Sequence, residues 1–236
     1  MDLPKFLWML QHSALFFSRA DILEDQFEGR LPHGSERFEE ATYKESYEQF
    51  ERQKQAPKNL GFDEHRRWMR EWVRQWTYLN CWHASNCESA AMWTIYGISG
   101  QSLAIETTVE QLASFLPPLT HLGLVKYIDF QKYQLPENNF VLPFLFKRES
   151  FSYESEVRAI TLQLPQLSGH PSQIDTKQTN VISGKEVFVD LNKLICNIYV
   201  GPKTKNWYFE AVQKLADKYG LQKTVLRSPL DASALK

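Results

Sequence analysis

The sequence predicts an α+β fold with a mixed or mainly antiparallel sheet and helical insertions in the N-terminal half. Helical patterns dominate as far as Pro117-Pro118, and strand-like patterns dominate from there to one last helix. Regular strand–helix–strand units, which mark a parallel α/β protein, are few. The 236 residues are 43% hydrophobic and 23% charged, which suits a single domain over residues 1–236.

Apolar spacing and turn residues mark the elements of the N-terminal half. We predict a short helix after Pro4, a strand at 14–18, helices at 36–55 and 63–77, a strand at 78–82, a helix at 88–96, a strand at 102–107 and a helix at 109–115. The segment 36–55 carries aromatic residues at helical spacing, and Gly29, Pro32 and Gly34 break the chain before it.

The C-terminal half has mainly strand patterns. We predict strands at 124–130, 156–164, 186–190 and 195–200, a helix at 206–219 and a last strand at 223–226. Residues 169–183 are polar and short of large apolar groups, so they predict an exposed loop or hairpin.

The charge balance and the cysteines narrow the class of protein. Lys and Arg number 27 against 28 Asp and Glu, so no net charge draws the chain to nucleic acid or to an anionic membrane. No apolar run approaches the roughly 20 residues of a membrane-spanning helix, and residues 1–5 lack the start of a signal peptide. The 3 cysteines do not suit a disulfide framework. We predict a cytoplasmic protein with reduced thiols.

Alternating charges stand out in residues 153–160. If the whole run is a strand, Glu154, Glu156 and Arg158 share one face at intervals of about 6.6 Å. Two interpretations stay open. The three charges form a compact polar site, or they form an ion-pair ladder with Lys147 that fixes strand register, in which each exposed pair contributes about 0 to 1 kcal/mol.

Arginines recur on the predicted helix at 63–77. Arg66, Arg70 and Arg74 repeat at every fourth position, beside an apolar stripe that includes Met69 and Trp72. One interpretation is a core helix with a basic outer face. The other is a ridge that contacts the phosphates of nucleic acid or of a nucleotide, because each guanidinium offers a planar fork of donors.

Thiols and an imidazole lie close together in residues 81–88. Cys81, His83 and Cys87 suggest zinc, but the second ligand pair of the usual zinc sites is absent, so we predict no metal site. A cysteine nucleophile beside His83 is a second alternative. The simplest interpretation makes Cys81 a buried strand residue and makes Ser85 or Asn86 the cap of the following helix.

Three blocks of residues occur in a recognisable order. They are Phe17-Ser18-Arg19 with Glu24-Asp25-Gln26-Phe27-Glu28, then Asn80-Cys81-Trp82 with Glu88-Ser89-Ala90-Ala91-Met92-Trp93-Thr94-Ile95-Tyr96, then Lys147 with Tyr153-Glu154-Ser155-Glu156-Val157-Arg158. From Leu3 to Ile160 the chain resembles a widespread bacterial domain-of-unknown-function family. That family usually has Asn-Asp-Pro-Phe-Glu, Met-Trp-x-x-Tyr and Tyr-Glu-x-Glu-x-Arg, so the first block departs from its pattern. The resemblance implies no activity.

The Glu-x-Glu spacing is also similar to the signature of the ADP-ribosyltransferases. This resemblance implies that Glu156 holds the nicotinamide ribose of NAD and stabilises an oxocarbenium-like transition state, while Glu154 orients the acceptor. It implies an Arg or His on an early strand and a Ser nearby, for which Arg19 and Ser18 are the candidates. Both are therefore candidate cofactor-binding residues.

Three more residues complete the candidate cofactor site. Arg158 either pairs with one of the acids or faces a phosphate of the cofactor. Trp93 and Tyr96, at i and i+3 of a predicted helix, either stack on a ring of NAD or fill a core. The alternatives to an NAD-using enzyme are a nucleic-acid or nucleotide binding module and a non-catalytic structural or interaction domain. The oligomeric state is not predicted.

Overall fold

The fold is α+β with mainly antiparallel sheets, as predicted. A computed structural model describes residues 1–35, 43–44, 47–52, 60–97, 101–135 and 139–231. The chain divides into two compact units, each built from separate stretches. Unit 1 comprises Met1–Phe16, His83–Pro118 and Glu186–Lys236, and unit 2 comprises Phe17–Trp82 and Leu119–Lys185. This division does not test the predicted single domain, which stays a prediction.

Helices and strands alternate irregularly along the described chain. The α-helices are α1 (Leu3–His12), α2 (Phe62–Gln75), α3 (Ala90–Tyr96), α4 (Val109–Phe115), α5 (Leu191–Leu194) and α6 (Asn206–Lys218). The strands are β1 (Ala14–Arg19), β2 (Thr77–His83), β3 (Leu103–Glu106), β4 (Thr120–Leu124), β5 (Lys126–Ile128), β6 (Phe146–Arg148), β7 (Glu156–Leu162), β8 (Gln166–Leu167), β9 (His170–Ile174), β10 (Gly184–Phe188), β11 (Asn197–Val200) and β12 (Val225–Arg227). None of the described helices has the length and apolarity that crossing a bilayer requires.

Unit 1 contains a three-stranded sheet in the order β12-β11-β3. Strand β11 is parallel to β12 and antiparallel to β3. Helix α6 lies between the two parallel strands in the sequence and buries Tyr208, Val212 and Ala216, which recur at every fourth position and therefore form one stripe. Helix α1 begins at Asp2, whose side chain accepts a hydrogen bond from the Lys5 backbone N–H.

A five-stranded sheet has the order β10-β1-β2-β7-β4. Strands β1 and β2 are antiparallel, with Ser18 opposite Leu79 and Arg19 opposite Tyr78. Strand β7 is buried from Glu156 to Thr161, as expected of a strand with neighbours on both sides. The sheet therefore places the charged start of β7 inside the protein.

Helix α2 packs its apolar stripe against aromatic side chains in unit 2. Met69, Trp72 and Val73 are buried together with Tyr43. At the N-terminus of α2 the Glu64 side chain accepts from the Gly61 backbone N–H, which satisfies one donor of the first turn. Of the helix predicted at 36–55, residues 43–44 and 47–52 are described and are helical, and the remaining residues lie outside the described part of the chain.

Predicted elements of the described chain agree with the structure to within two residues at each end, apart from one strand. The strand predicted at 124–130 is replaced by β4 and β5, because the chain leaves the sheet at Val125 and β5 pairs in parallel with β6. The strand predicted at 156–164 is β7, but the alternating run at 153–160 is not one strand throughout. Glu149–Glu154 is a 3-10 helix, and Ser155 takes a left-handed conformation with φ of 42° before β7 begins.

Two local predictions are also resolved. The cap of α3 is Ser89, which accepts a hydrogen bond from the Met92 backbone N–H, so the prediction of Ser85 or Asn86 was wrong. The polar segment predicted as a loop or hairpin begins in a hairpin of β8 and β9, which are antiparallel.

Candidate functional site

Five ionisable side chains of unit 2 form a buried cluster, which we call the charged centre. Strand β7 supplies Glu156 and Arg158, and β6 supplies Lys147. Glu154 comes from the 3-10 helix before β7, and Glu28 comes from the turn after β1. None of the five is more than 9% exposed. An exposed ion-pair ladder is therefore excluded, and the interactions take place in a desolvated environment where charges interact strongly.

Arg158 lies at the middle of the charged centre and is 1% exposed. Its Nε donates to Glu156 Oε1 at 2.8 Å and its Nη2 donates to Glu156 Oε2 at 2.9 Å. The same guanidinium donates from Nη2 to Glu28 Oε2 at 2.9 Å and from Nη1 to Glu28 Oε1. Nη1 also donates to the Phe144 carbonyl at 2.7 Å. Two carboxylates thus hold one planar fork of donors.

Glycine at position 29 allows this arrangement. Gly29 follows Glu28, has φ of +70°, and lies so close to Phe144 that a Cβ would approach its ring to 2.1 Å. Phe144 supplies the carbonyl that accepts from Arg158. Any side chain at position 29 would push the Glu28 turn away from Phe144, and with it one of the two carboxylates that hold Arg158.

Lys147 joins the third carboxylate, Glu154, to Glu156. Its Nζ lies 2.5 Å from Glu154 Oε2 and 3.7 Å from Glu156 Oε2, and it also lies 4.6 Å from the centre of the Phe151 ring. The backbone N–H of Glu156 donates to the Tyr127 hydroxyl at 2.9 Å. Glu154 thus meets Glu156 through Lys147, and the two acids do not stand in file on one strand as the sequence predicted.

The carboxylates have different protonation behaviour. Burial raises the pKa of Glu28, and the charge and hydrogen bonds of Arg158 offset only part of that effect. Burial also acts on Glu156, but hydrogen bonds and charge from Arg158 outweigh it and hold the pKa of Glu156 below its usual value. The pKa of Lys147 is raised: burial lowers it, and Glu154 and Glu156 more than compensate. Glu156 therefore remains ionised at neutral pH.

Cys81 of β2 contacts the charged centre from a position open to solvent. The residue is exposed, so the prediction of a buried strand residue was wrong, although the surrounding protein desolvates its thiol. Burial raises the pKa of Cys81 well above its usual value, and the adjacent charge of Glu156 raises it further. With its pKa raised, the thiol stays protonated at neutral pH. A thiol held in this form does not suit the predicted nucleophile.

Metal ligation finds no support in the same region. Among the residues that the structure describes, no group of three or more His, Cys, Asp or Glu side chains is placed to hold a metal ion.

The first and third sequence blocks meet at the charged centre. Glu28 ends the first block and binds Arg158 of the third, 130 residues away. Asp25 of the first block accepts from Arg148 Nη2 at 2.8 Å, and the Arg148 guanidinium lies 4.4 Å from the centre of the Phe27 ring. Sequence reasoning did not identify Glu28 as the partner of Arg158. The signal that could have found it is the acid that closes the first block.

The aromatic pair of the second block belongs to unit 1. Trp93 is half-buried, and its Nε1 donates to Glu88 Oε2 at 3.2 Å. The same oxygen accepts from Ser228 Oγ at 2.5 Å. Tyr96 is 53% exposed on α3. Glu88 thus fixes the Trp93 indole within its own unit, and the predicted stacking of Trp93 and Tyr96 on a cofactor stays a prediction.

Ser18 and Arg19 lie on opposite faces of the five-stranded sheet. Ser18 is opposite Leu79, which packs with Ile160 on the face that carries Glu156 and Arg158. Arg19 is opposite Tyr78 and therefore lies on the other face. The structure does not bring Arg19 to the charged centre, contrary to the predicted cofactor site.

The arginines of α2 do not form a continuous outer ridge. Arg74 has a side chain only 5% exposed and donates to Glu71 at 2.6 Å, so its assignment to an outer face was wrong. Arg66 is 14% exposed and lies 3.3 Å from Asp63. Arg70 donates to the Asn139 carbonyl at 3.4 Å. The nucleic-acid interpretation of Arg66, Arg70 and Arg74 stays a prediction.

An α+β fold with a buried, Arg-centred carboxylate cluster is the class of protein that these observations define. No family model matches the chain, and comparisons with curated proteins and with solved structures found no match. The resemblances to the domain-of-unknown-function family and to the ADP-ribosyltransferases therefore stay predictions.

Proposed function

We propose that the protein is a non-catalytic structural domain whose fold is organised by the charged centre. The observation that carries this proposal is the surroundings of Glu156. Two nitrogens of Arg158 donate to its two oxygens, and the Lys147 ammonium lies 3.7 Å from one of them. Both oxygens are therefore already committed to a cation of the protein itself, which leaves the carboxylate poorly disposed to bind a substrate hydroxyl.

The separation of the partners along the chain supports the same proposal. Arg158 joins a turn near the start of unit 2 to a strand 130 residues later, and Lys147 joins the 3-10 helix to that strand. Such contacts specify which turn packs against β7. Removal of one member leaves an uncompensated buried charge, which costs about 3–5 kcal/mol in comparable pairs.

A second candidate function is an NAD-using enzyme similar to ADP-ribosyltransferases. The observation that favours it is an ionised Glu156 beside Cys81, which solvent reaches. In this candidate a ribose hydroxyl donates to Glu156, and the carboxylate stabilises positive charge that develops on the sugar.

One experiment separates the two candidates. The wild-type protein, Glu156→Gln and Cys81→Ser are incubated with NAD, and released nicotinamide is quantified by chromatography. We expect none of the three proteins to release nicotinamide faster than buffer alone. Release by the wild type and by Cys81→Ser that is lost in folded Glu156→Gln would establish the enzyme instead.

A further inference from the structure

Lys185 lies on the sheet face opposite the charged centre and lacks an acidic partner. Its Nζ is 4.8 Å from the centre of the Tyr78 ring. Within the described residues no carboxylate or other hydrogen-bond acceptor meets this ammonium group. Desolvation lowers the pKa of Lys185, with no opposing contribution from a neighbouring acid. A half-buried cation without a counter-charge is an unusual feature that an anion would relieve.

The register of β10 with β1 shows which residues share this face. The Arg19 N–H donates to the Ser183 carbonyl and the Val189 N–H donates to the Ser13 carbonyl, so the strands are antiparallel with Lys185 opposite Phe17. Arg19 is two residues beyond Phe17 and is opposite Tyr78. Lys185 and Arg19 are therefore diagonal neighbours on one face, with Cα atoms about 7–8 Å apart.

Arg19 is fixed in place but retains free donors. Its Nε donates to Asp21 at 2.6 Å, and its Nη1 donates to the carbonyls of Asn180 and Ile182 at 2.6 and 3.0 Å. Nη2 has no acceptor in the described part of the chain. Both Arg19 Nη2 and Lys185 Nζ are accessible to solvent. With Asp21 included, the three charges sum to +1.

We propose that Lys185 and Arg19 bind the phosphate group of a small phosphorylated ligand. A guanidinium already oriented by three hydrogen bonds offers one free amino group, Nη2, and the lysine adds a mobile point charge, so the two cations together suit an oxyanion. Tyr78 forms the apolar floor beneath the ammonium group. The site lies on the opposite face from Glu156, so it does not depend on the role proposed for the charged centre.

Phosphate binding is tested by titration calorimetry of the whole chain at low ionic strength with inorganic phosphate, AMP and adenosine as probes. We expect phosphate to bind, and adenosine not to bind. Tighter binding of AMP than of phosphate identifies a phosphate ester as the ligand, and equal binding identifies free phosphate. The expected affinity falls with added salt because the contacts are ionic.

Variants locate the site. Lys185→Gln removes no hydrogen bond from the fold and should weaken phosphate binding by roughly tenfold or more. Lys177→Gln, which changes an exposed lysine of the same segment, should bind like the wild type. Lys185→Arg keeps the charge and should retain binding. Absence of phosphate binding by the wild type up to about 10 mM, or unchanged binding by folded Lys185→Gln, would overturn the proposal.

Discussion

Arg158→Met removes more interactions of the charged centre than a change at any other of its five residues. The substitution removes the guanidinium that both oxygens of Glu28 and both oxygens of Glu156 accept from. Glu156 keeps Lys147 at 3.7 Å, whereas Glu28 loses the partner that hydrogen-bonds to both its oxygens and stays 2% exposed. Breaking one buried pair costs about 3–5 kcal/mol, so we expect at least that loss in the free energy of unfolding. A typical domain has about 5–15 kcal/mol in total.

Urea denaturation followed by tryptophan fluorescence measures this loss. The matched control is Lys132→Met, since Lys132 is 84% exposed and lies 3.2 Å from Asp129 in an exposed pair, which contributes about 0 to 1 kcal/mol. The loss in Arg158→Met should shrink as pH falls toward the usual glutamate pKa, because the stranded carboxylates then take up protons. A loss below about 1 kcal/mol for Arg158→Met, with a native spectrum, would show that the buried pairs with Arg158 contribute little to stability.

Three further predictions concern single residues. Burial lowers the pKa of His65, so the unfolded state binds a proton more readily than the folded state does. As pH drops below 6.5, the stability of the wild type should therefore fall relative to that of His65→Phe, by up to about 1.4 kcal/mol per pH unit. Urea denaturation at several pH values measures this difference. Glu156→Gln removes the charge that helps to raise the pKa of Cys81, so Cys81 should react faster with iodoacetamide at pH 7, and an unchanged rate would contradict their contact. Gly29→Ala should destabilise more than Gly169→Ala, each judged by its thermal midpoint, because both have positive φ but only Gly29 would press a Cβ against a neighbour.

Local order was largely predictable from the sequence because it depends on neighbouring residues. The stripe of Tyr208, Val212 and Ala216 defines α6, and the equivalent stripe of Met69, Trp72 and Val73 defines α2. These elements needed no knowledge of distant contacts, so periodicity alone located them.

The start of β7 shows where local patterns fail. Residues 153–160 alternate like a strand, but Ser155 takes a positive φ that few serines adopt, and the preceding residues coil into a 3-10 helix. The alternation of Glu154 with Glu156 is therefore a coincidence of spacing. Their actual connection runs through Lys147.

Partners far apart in the sequence were beyond prediction from one chain. Nothing local links Glu28 to Arg158, or Cys81 to Glu156, because strand order decides which side chains meet. The sequence drew attention to the charges at 154, 156 and 158, but their burial and pairing follow from the position of β7 between two other strands.

A double-mutant cycle between Glu28 and Arg158 tests most directly whether the charged centre organises the fold. Unfolding free energies are measured for the wild type, Glu28→Gln, Arg158→Met and the double variant. We expect the double variant to lose less than the sum of the single losses by about 2 kcal/mol or more, since each single variant leaves a buried partner without its counter-charge. Losses that add to within about 0.5 kcal/mol would contradict it.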